Sequence, residues 1–213
     1  MRPFKQVESR VVPVDRSNID TDALIPKQYI KSIERTGFGK YLFDEWRFLD
    51  KGEPGMLLEQ RIPNPEFTLN MERYQGAEIL VAQDNFGCGS SREHAVWALE
   101  DFGIRVVIAP SFAEIFYANC FKNGVLPIAL EPEKVETLIH SALSVDGFSL
   151  LVDLPSQLIN MSDGESLSFS IDPYYKLRLE NGYDDIDITL TKLDQIARYE
   201  QKRREQEPWL FTV

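Results

Sequence analysis

The chain is poor in the residues that build metal and disulfide frameworks. Its 213 residues include two cysteines, Cys88 and Cys120, and two histidines, His94 and His140. Two separated thiols cannot make a disulfide scaffold, and they fall short of the four thiolates that usually hold an iron-sulfur cluster or a structural zinc. Positive charge is also in deficit: 23 Lys and Arg stand against 34 Asp and Glu, a formal charge of -11. That balance argues against a nonspecific hold on nucleic-acid phosphates or an anionic membrane surface. No apolar run approaches the roughly 18 residues of a membrane span, and the opening Met-Arg-Pro-Phe-Lys-Gln-Val-Glu lacks the apolar core of a signal peptide. A cytoplasmic location is expected.

What is present is an ordinary globular composition, 43% hydrophobic and 27% charged, sufficient to bury a core. Any small anionic substrate must then be held by a few local donors acting against the global field. Residues 11–14 read as a strand, followed by a polar loop over 15–22. From 37 to 70 glycine and proline recur, which suits a long surface excursion. The middle is regular: a strand over 77–82, a small-residue turn over 87–91, a helix over 93–102 stopped by Gly103, and a strand over 105–109. A Ser111-x-x-Glu114 capping-box signature then opens a helix to Asn123, before a strand over 125–130 and a helix over 131–143. This alternation implies parallel strands covered by helices. Beyond it, short antiparallel strands are expected around 150–154, 167–171, 176–179 and 186–190, then a charged helix over 192–207. The whole reads as one compact mixed domain over 1–213, without internal repeat, ending in a helical tail from about 192.

The densest chemistry is Asp84-Asn85-Phe86-Gly87-Cys88-Gly89-Ser90-Ser91-Arg92-Glu93-His94. It begins like a dinucleotide fingerprint but has Arg92 where the third glycine belongs, and it lacks both the ending of a phosphate loop and the flanks of a nucleophile elbow. What remains is two hydroxyls and a guanidinium at the start of a helix, where unpaired N–H groups favour a carboxylate or oxyanion. Ser90 with Glu93 is equally a capping box, and from spacing alone the structural and catalytic readings stand level. His94 reads as a hydrogen-bonded structural residue and Cys88 as a small buried filler. Asn18, Asp20 and Asp22 hint at a calcium loop, but Ala23 stands where its glycine belongs and Tyr29 where its glutamate does. These carboxylates are expected to cap a turn or orient a neighbouring cation.

The segments Asp20-Thr21-Asp22 with Ile25-Pro26, Arg35-Thr36-Gly37-Phe38-Gly39, the run from Asn85 to His94, and Ser111-Phe112-Ala113 with Asn123-Gly124 and Leu126-Pro127 resemble the small subunits of bacterial 3-isopropylmalate dehydratases. The Gly-Ser-Ser-Arg-Glu-His run is specific to the aconitase superfamily, whereas Arg-Thr-Gly-Phe-Gly and Phe43-Asp44-Glu45-Trp46-Arg47 point to the isopropylmalate branch. The resemblance implies an α/β fold, a swivelling β/β/α three-layer domain with a mixed sheet and a C-terminal helical tail. It implies a hydro-lyase of leucine biosynthesis, active only with a large-subunit partner that carries a [4Fe-4S] cluster, with no cofactor on this chain. Carried over, Ser90 is the base, and Ser91 and Arg92 bind a carboxylate of a small dicarboxylate substrate. In the recognition-loop region, residues 30–39, Ile33 and Phe38 are expected to flank the alkyl group, and Arg35 to contact a carboxylate or the partner. Rivals are citraconate or methylmalate hydration and homoaconitase chemistry, which use the same base, and a noncatalytic regulatory or RNA-binding role. The net charge and the lack of clustered basic and aromatic residues argue against that last role.

Overall fold

The computed structural model describes residues 1–30, 36–162 and 164–211. Among them, seven strands form one mixed sheet in the order β4-β3-β2-β1-β5-β6-β7: β1 (Gln6–Val14), β2 (Ile79–Ala82), β3 (Val106–Ala109), β4 (Leu126–Ala129), β5 (Ser149–Asp153), β6 (Leu158–Met161) and β7 (Ser166–Ser168). Eight α-helices among the described residues accompany them: α1 (Thr21–Leu24), α2 (Asp44–Arg47), α3 (Glu93–Phe102), α4 (Glu114–Lys122), α5 (Pro132–Ser144), α6 (Pro173–Asn181), α7 (Asp185–Leu190) and α8 (Leu193–Gln206).

β1 divides the sheet into two halves. Its last four residues, Val11 to Val14, pair parallel with β2, whereas Gln6 to Arg10 pair antiparallel with β5. Burial follows the same division: the parallel half is buried throughout, and the antiparallel half alternates between exposed and half-buried positions. Continuous apolar runs belong to strands covered on both faces and alternation to strands with a wet face. That is why only the Val11–Val14 half reads as a strand in sequence. One core face joins β1–β3 to α3 through Val12, Leu80, Val107, Ala95 and Leu99; the other packs Ile79, Ile108 and Ile128 against Val135, Leu138 and Ile139 of α5.

Three expectations are revised. Residues 37–70 are a surface excursion only in part: 53–60 are exposed apart from half-buried Met56, but the flanking stretches turn inward. Phe38, Leu42, Phe43, Phe48, Phe67 and Leu69 are buried, and Arg61 forms a two-point salt bridge to Asp44 (2.6 and 3.2 Å) with both side chains almost wholly buried. Gly52 lies against this pair so closely that a Cβ would fall 2.6 Å from Asp44 Oδ2 and 2.0 Å from Tyr29 Oη.

The expected strands at 176–179 and 186–190 are helices. Asp172 accepts from the Tyr174 N–H ahead of Pro173, and Gly182 closes α6 at φ +69°. Proline just inside the start and glycine just past the end are helix boundaries. Asp184 and Asp187 exchange side chain-to-backbone bonds at the start of α7, so the β-branched content of Ile186, Ile188 and Thr189 is overridden by its cap. β6 has no counterpart in the sequence reading.

The Ser111 capping box is also not realised. Ala113 flanks the first turn of α4, and the Ser111 hydroxyl accepts from Asn85 N–H instead (2.8 Å).

Candidate active site

The turn between β2 and α3 is clamped by two neighbouring loops at the carboxyl ends of β1 and β3, where ligands of open α/β sheets bind. On one side Gly87 N–H donates to Ile19 O (2.7 Å), Thr21 N–H to Cys88 O (2.9 Å), and the Thr21 hydroxyl to Ser90 O (2.7 Å). On the other, Phe86 N–H donates to Ser111 O and Ala113 N–H to Phe86 O, each at 3.0 Å. Two asparagines take left-handed backbone, Asn18 (φ 56°) and Asn85 (φ 57°), and the Asn85 amide donates to the Asn18 amide oxygen at 2.7 Å. Gly87 also has positive φ, and a Cβ there would sit 2.1 Å from the Phe116 ring, so only glycine fits.

On this frame stand Ser90, Ser91 and Arg92. Ser90 and Ser91 are exposed, and the Arg92 guanidinium pairs with Asp22. The capping reading of Ser90 does not hold geometrically: Arg92, not Ser90, flanks the first turn of α3, and no side chain caps it. Glu93, which a capping box would turn back on the cap residue, instead accepts from the Asn123 amide (2.9 Å), and Asn123 accepts from the Trp97 indole (2.9 Å). The Ser90 hydroxyl is therefore not spent on the helix, and the first-turn N–H groups keep their positive character. Both predicted roles of the 15–22 carboxylates are present. Asp20 caps α1 through Ala23 N–H (2.7 Å), and Asp22 orients Arg92.

A cavity of about 210 Å³ opens here, with Ser90, Ser91 and Arg92 on one wall and Glu114, Ile115 and Phe116 of α4 on the other. Sequence reading missed Glu114 and Ile115. The usable sequence signal was their position just after the carboxyl end of β3; that Ile115 is left 55% exposed is visible only in the fold.

Of the other predicted site residues, Ile33 and Arg35 lie outside the described residues. Phe38 is only 2% exposed and packs edge-on to the His94 ring (5.4 Å) and beside Trp97 (5.9 Å), so its ring belongs to the core beneath the site rather than to an open wall. The described ends of the 30–39 segment are anchored. Tyr29 and Tyr41 stack at 3.9 Å, and Gly39 N–H donates to Asp101 (2.7 Å) so near α3 that a Cβ would meet Phe102 N at 2.5 Å.

His94 is held by Phe38 and Trp97 rather than by a hydrogen bond among the described residues. Burial, aided by Arg92 and opposed by Glu93, lowers its pKa. Burial, then the Asp20 charge, raises that of the Cys88 thiol, which disfavours the nucleophilic thiolate. Among the described residues no three His, Cys, Asp or Glu side chains are grouped to hold a metal ion, and Cys88 and Cys120 are both free thiols. No helix among them is long and apolar enough to cross a membrane.

Residues 1–133 match the family model of the aconitase C-terminal domain, and residues 185–213 match that of the C-terminal domain of 3-isopropylmalate dehydratase small subunits. Similar curated proteins, each named 3-isopropylmalate dehydratase small subunit, are found in Nitrosomonas eutropha (56% identical, covering 99% of this chain and 100% of its own) and Aromatoleum aromaticum (54%, 100% of both). A third, from Magnetococcus marinus, is 55% identical over 99% of both chains. The crystal structure of 3-isopropylmalate dehydratase from Methanocaldococcus jannaschii has the same fold, with a TM-score of 0.63 at 24% identity over 91% of this chain and 99% of that one. With identity above one half along essentially its whole length, and the serine-arginine turn in place, the chain belongs to the 3-isopropylmalate dehydratase small-subunit family.

Proposed function

We propose that this chain is the serine-bearing half of a cytoplasmic hydro-lyase that interconverts 2-isopropylmalate and 3-isopropylmalate in leucine biosynthesis, working with a separate large subunit. The observation that carries the reading is the state of Ser90: exposed, on a turn locked from both sides, next to Arg92, and not engaged in capping α3. A serine hydroxyl is a weak base until its alkoxide is stabilised. A guanidinium and unspent helix N–H groups favour that charge strongly once water is excluded.

Ser90 takes the proton from the carbon beside a carboxylate while hydroxide departs from the neighbouring carbon, leaving an alkene dicarboxylate. Water then returns with its hydroxyl on the first carbon, and Ser90 delivers its proton to the second, so composition is unchanged. Arg92, steered by Asp22 through Nη1, holds a substrate carboxylate with its remaining donors, assisted by Ser91. Ile33 contacts the alkyl group, Arg35 meets a carboxylate or the partner, and Phe38 supports the wall from beneath through His94.

The cavity supports the need for a partner. At about 210 Å³ it is smaller than the roughly 300 Å³ at which ligand pockets begin, so the missing wall comes from the large subunit. To that subunit we assign the [4Fe-4S] cluster, which when bound acts as a Lewis acid on the leaving hydroxyl. The test is an assay of the isolated chain and of the reconstituted pair against isopropylmalate, citrate, homocitrate and citraconate. Turnover of isopropylmalate by the pair alone is expected. Turnover by the isolated chain, or preference of the pair for another acid, overturns the reading.

A further inference from the structure

Three arginines among the described residues are buried, and two of them have carboxylate partners: Arg61 pairs with Asp44, and Arg178 with Asp185. The third, Arg105, is 6% exposed and forms no side-chain hydrogen bond or ion pair among the described residues; its Nε is buried without a partner. A guanidinium presents five N–H donors and stays charged; here the Nε–H is buried without an acceptor, a costly omission, while the terminal amino groups face the open cavity. Phe4 lies 5.4 Å from the Arg105 guanidinium carbon and covers its face, but a ring face satisfies none of the in-plane donors.

Arg105 borders a cavity of about 310 Å³ that it shares with Arg2, Glu78, Glu100 and Gly103. This cavity lies at the amino ends of β2 and β3, because Glu78 and Arg105 immediately precede those strands, and so at the opposite end of the sheet from the Ser90 turn. Arg2 is exposed and likewise makes no ion pair among the described residues. Glu78 and Glu100 line the same space, yet neither carboxylate comes within ion-pair distance of Arg105. Burial, and next the Arg2 cation, lower the Arg105 pKa against the pull of the two glutamates. The cavity thus presents two cations, neither of them paired with a carboxylate among the described residues.

We propose that this cavity is a binding site for a small oxyanion, a carboxylate or phosphate group, received by the in-plane donors of Arg105 and closed by Arg2. Planar guanidinium donors match the paired oxygens of either group. The two glutamates that line the same cavity limit the ligand to a low total charge. A bound anion joins the N-terminal segment, the start of β3 and the end of α3, so ligation raises the stability of the whole chain.

The test is a titration of the full-length chain, labelled with nitrogen-15, with acetate and separately with phosphate at fixed ionic strength, following the Arg105 Nε–H resonance assigned from Arg105→Lys. A saturable shift with either probe is expected, and the tighter of the two identifies the source of the group. Arg2→Ser, a change at an exposed position, is expected to weaken that binding about tenfold through loss of one charge-assisted contact. The absence of a saturable shift with both probes makes Arg105 a sealed structural residue and overturns the site. An affinity untouched by Arg2→Ser does the same. A shift that arises only on adding the large subunit assigns the acceptor to a partner carboxylate and also overturns the proposal.

Discussion

The Arg92 guanidinium is steered by the carboxylate of Asp22, a residue 70 positions earlier in the chain that the β1–α1 loop brings to the head of α3. The pair is part-exposed, so its worth to stability is small; its effect is on where the guanidinium points. Asp22→Asn is expected to leave the thermal midpoint nearly unchanged and to raise KM for isopropylmalate in the reconstituted enzyme several-fold. Arg92→Lys should be worse, because an ammonium cannot reproduce a planar two-point contact. A KM for Asp22→Asn equal to that of the parent would remove Asp22 from the site.

Ser90→Ala separates base from cap. If Ser90 abstracts the proton, kcat falls by at least about 100-fold while the fold and subunit association persist. Loss of a helix cap would instead cost about 1 kcal/mol of stability with little loss of activity. Since no side chain caps α3, the first outcome is expected. Kinetics and thermal melts on the same preparation decide it.

The buried Arg61–Asp44 pair bears on stability alone. Asp44→Ala leaves a guanidinium stranded beside Gly52 and Tyr29, with only Asp50 at 2.8 Å as a remaining carboxylate. Breaking such a pair costs about 3–5 kcal/mol, whereas replacing both partners by apolar groups is often near neutral. The double change Asp44→Leu with Arg61→Met is therefore expected to recover much of what Asp44→Ala loses in denaturant melts. A double variant no more stable than the single one would contradict this account.

His94 makes stability depend on pH. Its folded pKa lies below its unfolded value near about 6.5, so the unfolded chain binds more protons and stability falls as pH drops below that value toward the folded pKa. His94→Gln removes this term. Between about pH 7 and pH 5.5 the parent should lose more of its thermal midpoint than His94→Gln does; equal losses would mean that the ring titrates freely.

Periodicity and local chemistry sufficed for the parallel half of the fold. The apolar runs of β2, β3 and β4, the glycine stops and the amphipathic α3 and α5 are encoded within short windows of sequence, and so are Ser90, Ser91 and Arg92 as one cluster. The family signature was equally legible, because each of its segments is a short contiguous run, above all Gly89 to His94. Tertiary structure decided what depends on partners far along the chain. Two Ser-x-x-Glu signatures predict caps. In the fold, the Ser111 hydroxyl is drawn to Asn85 and Glu93 to Asn123, which leaves Ser90 free. Residues 37–70 look like loop because glycine and proline interrupt every period; 53–60 do stay largely exposed, but the Arg61–Asp44 pair and a set of phenylalanines fold the flanking stretches inward. The α6 and α7 segments show the limit of composition, since β-branched side chains yield to a proline start, a glycine stop and a reciprocal aspartate cap. Arg105 is one basic residue among many in sequence, and only burial without an acceptor sets it apart.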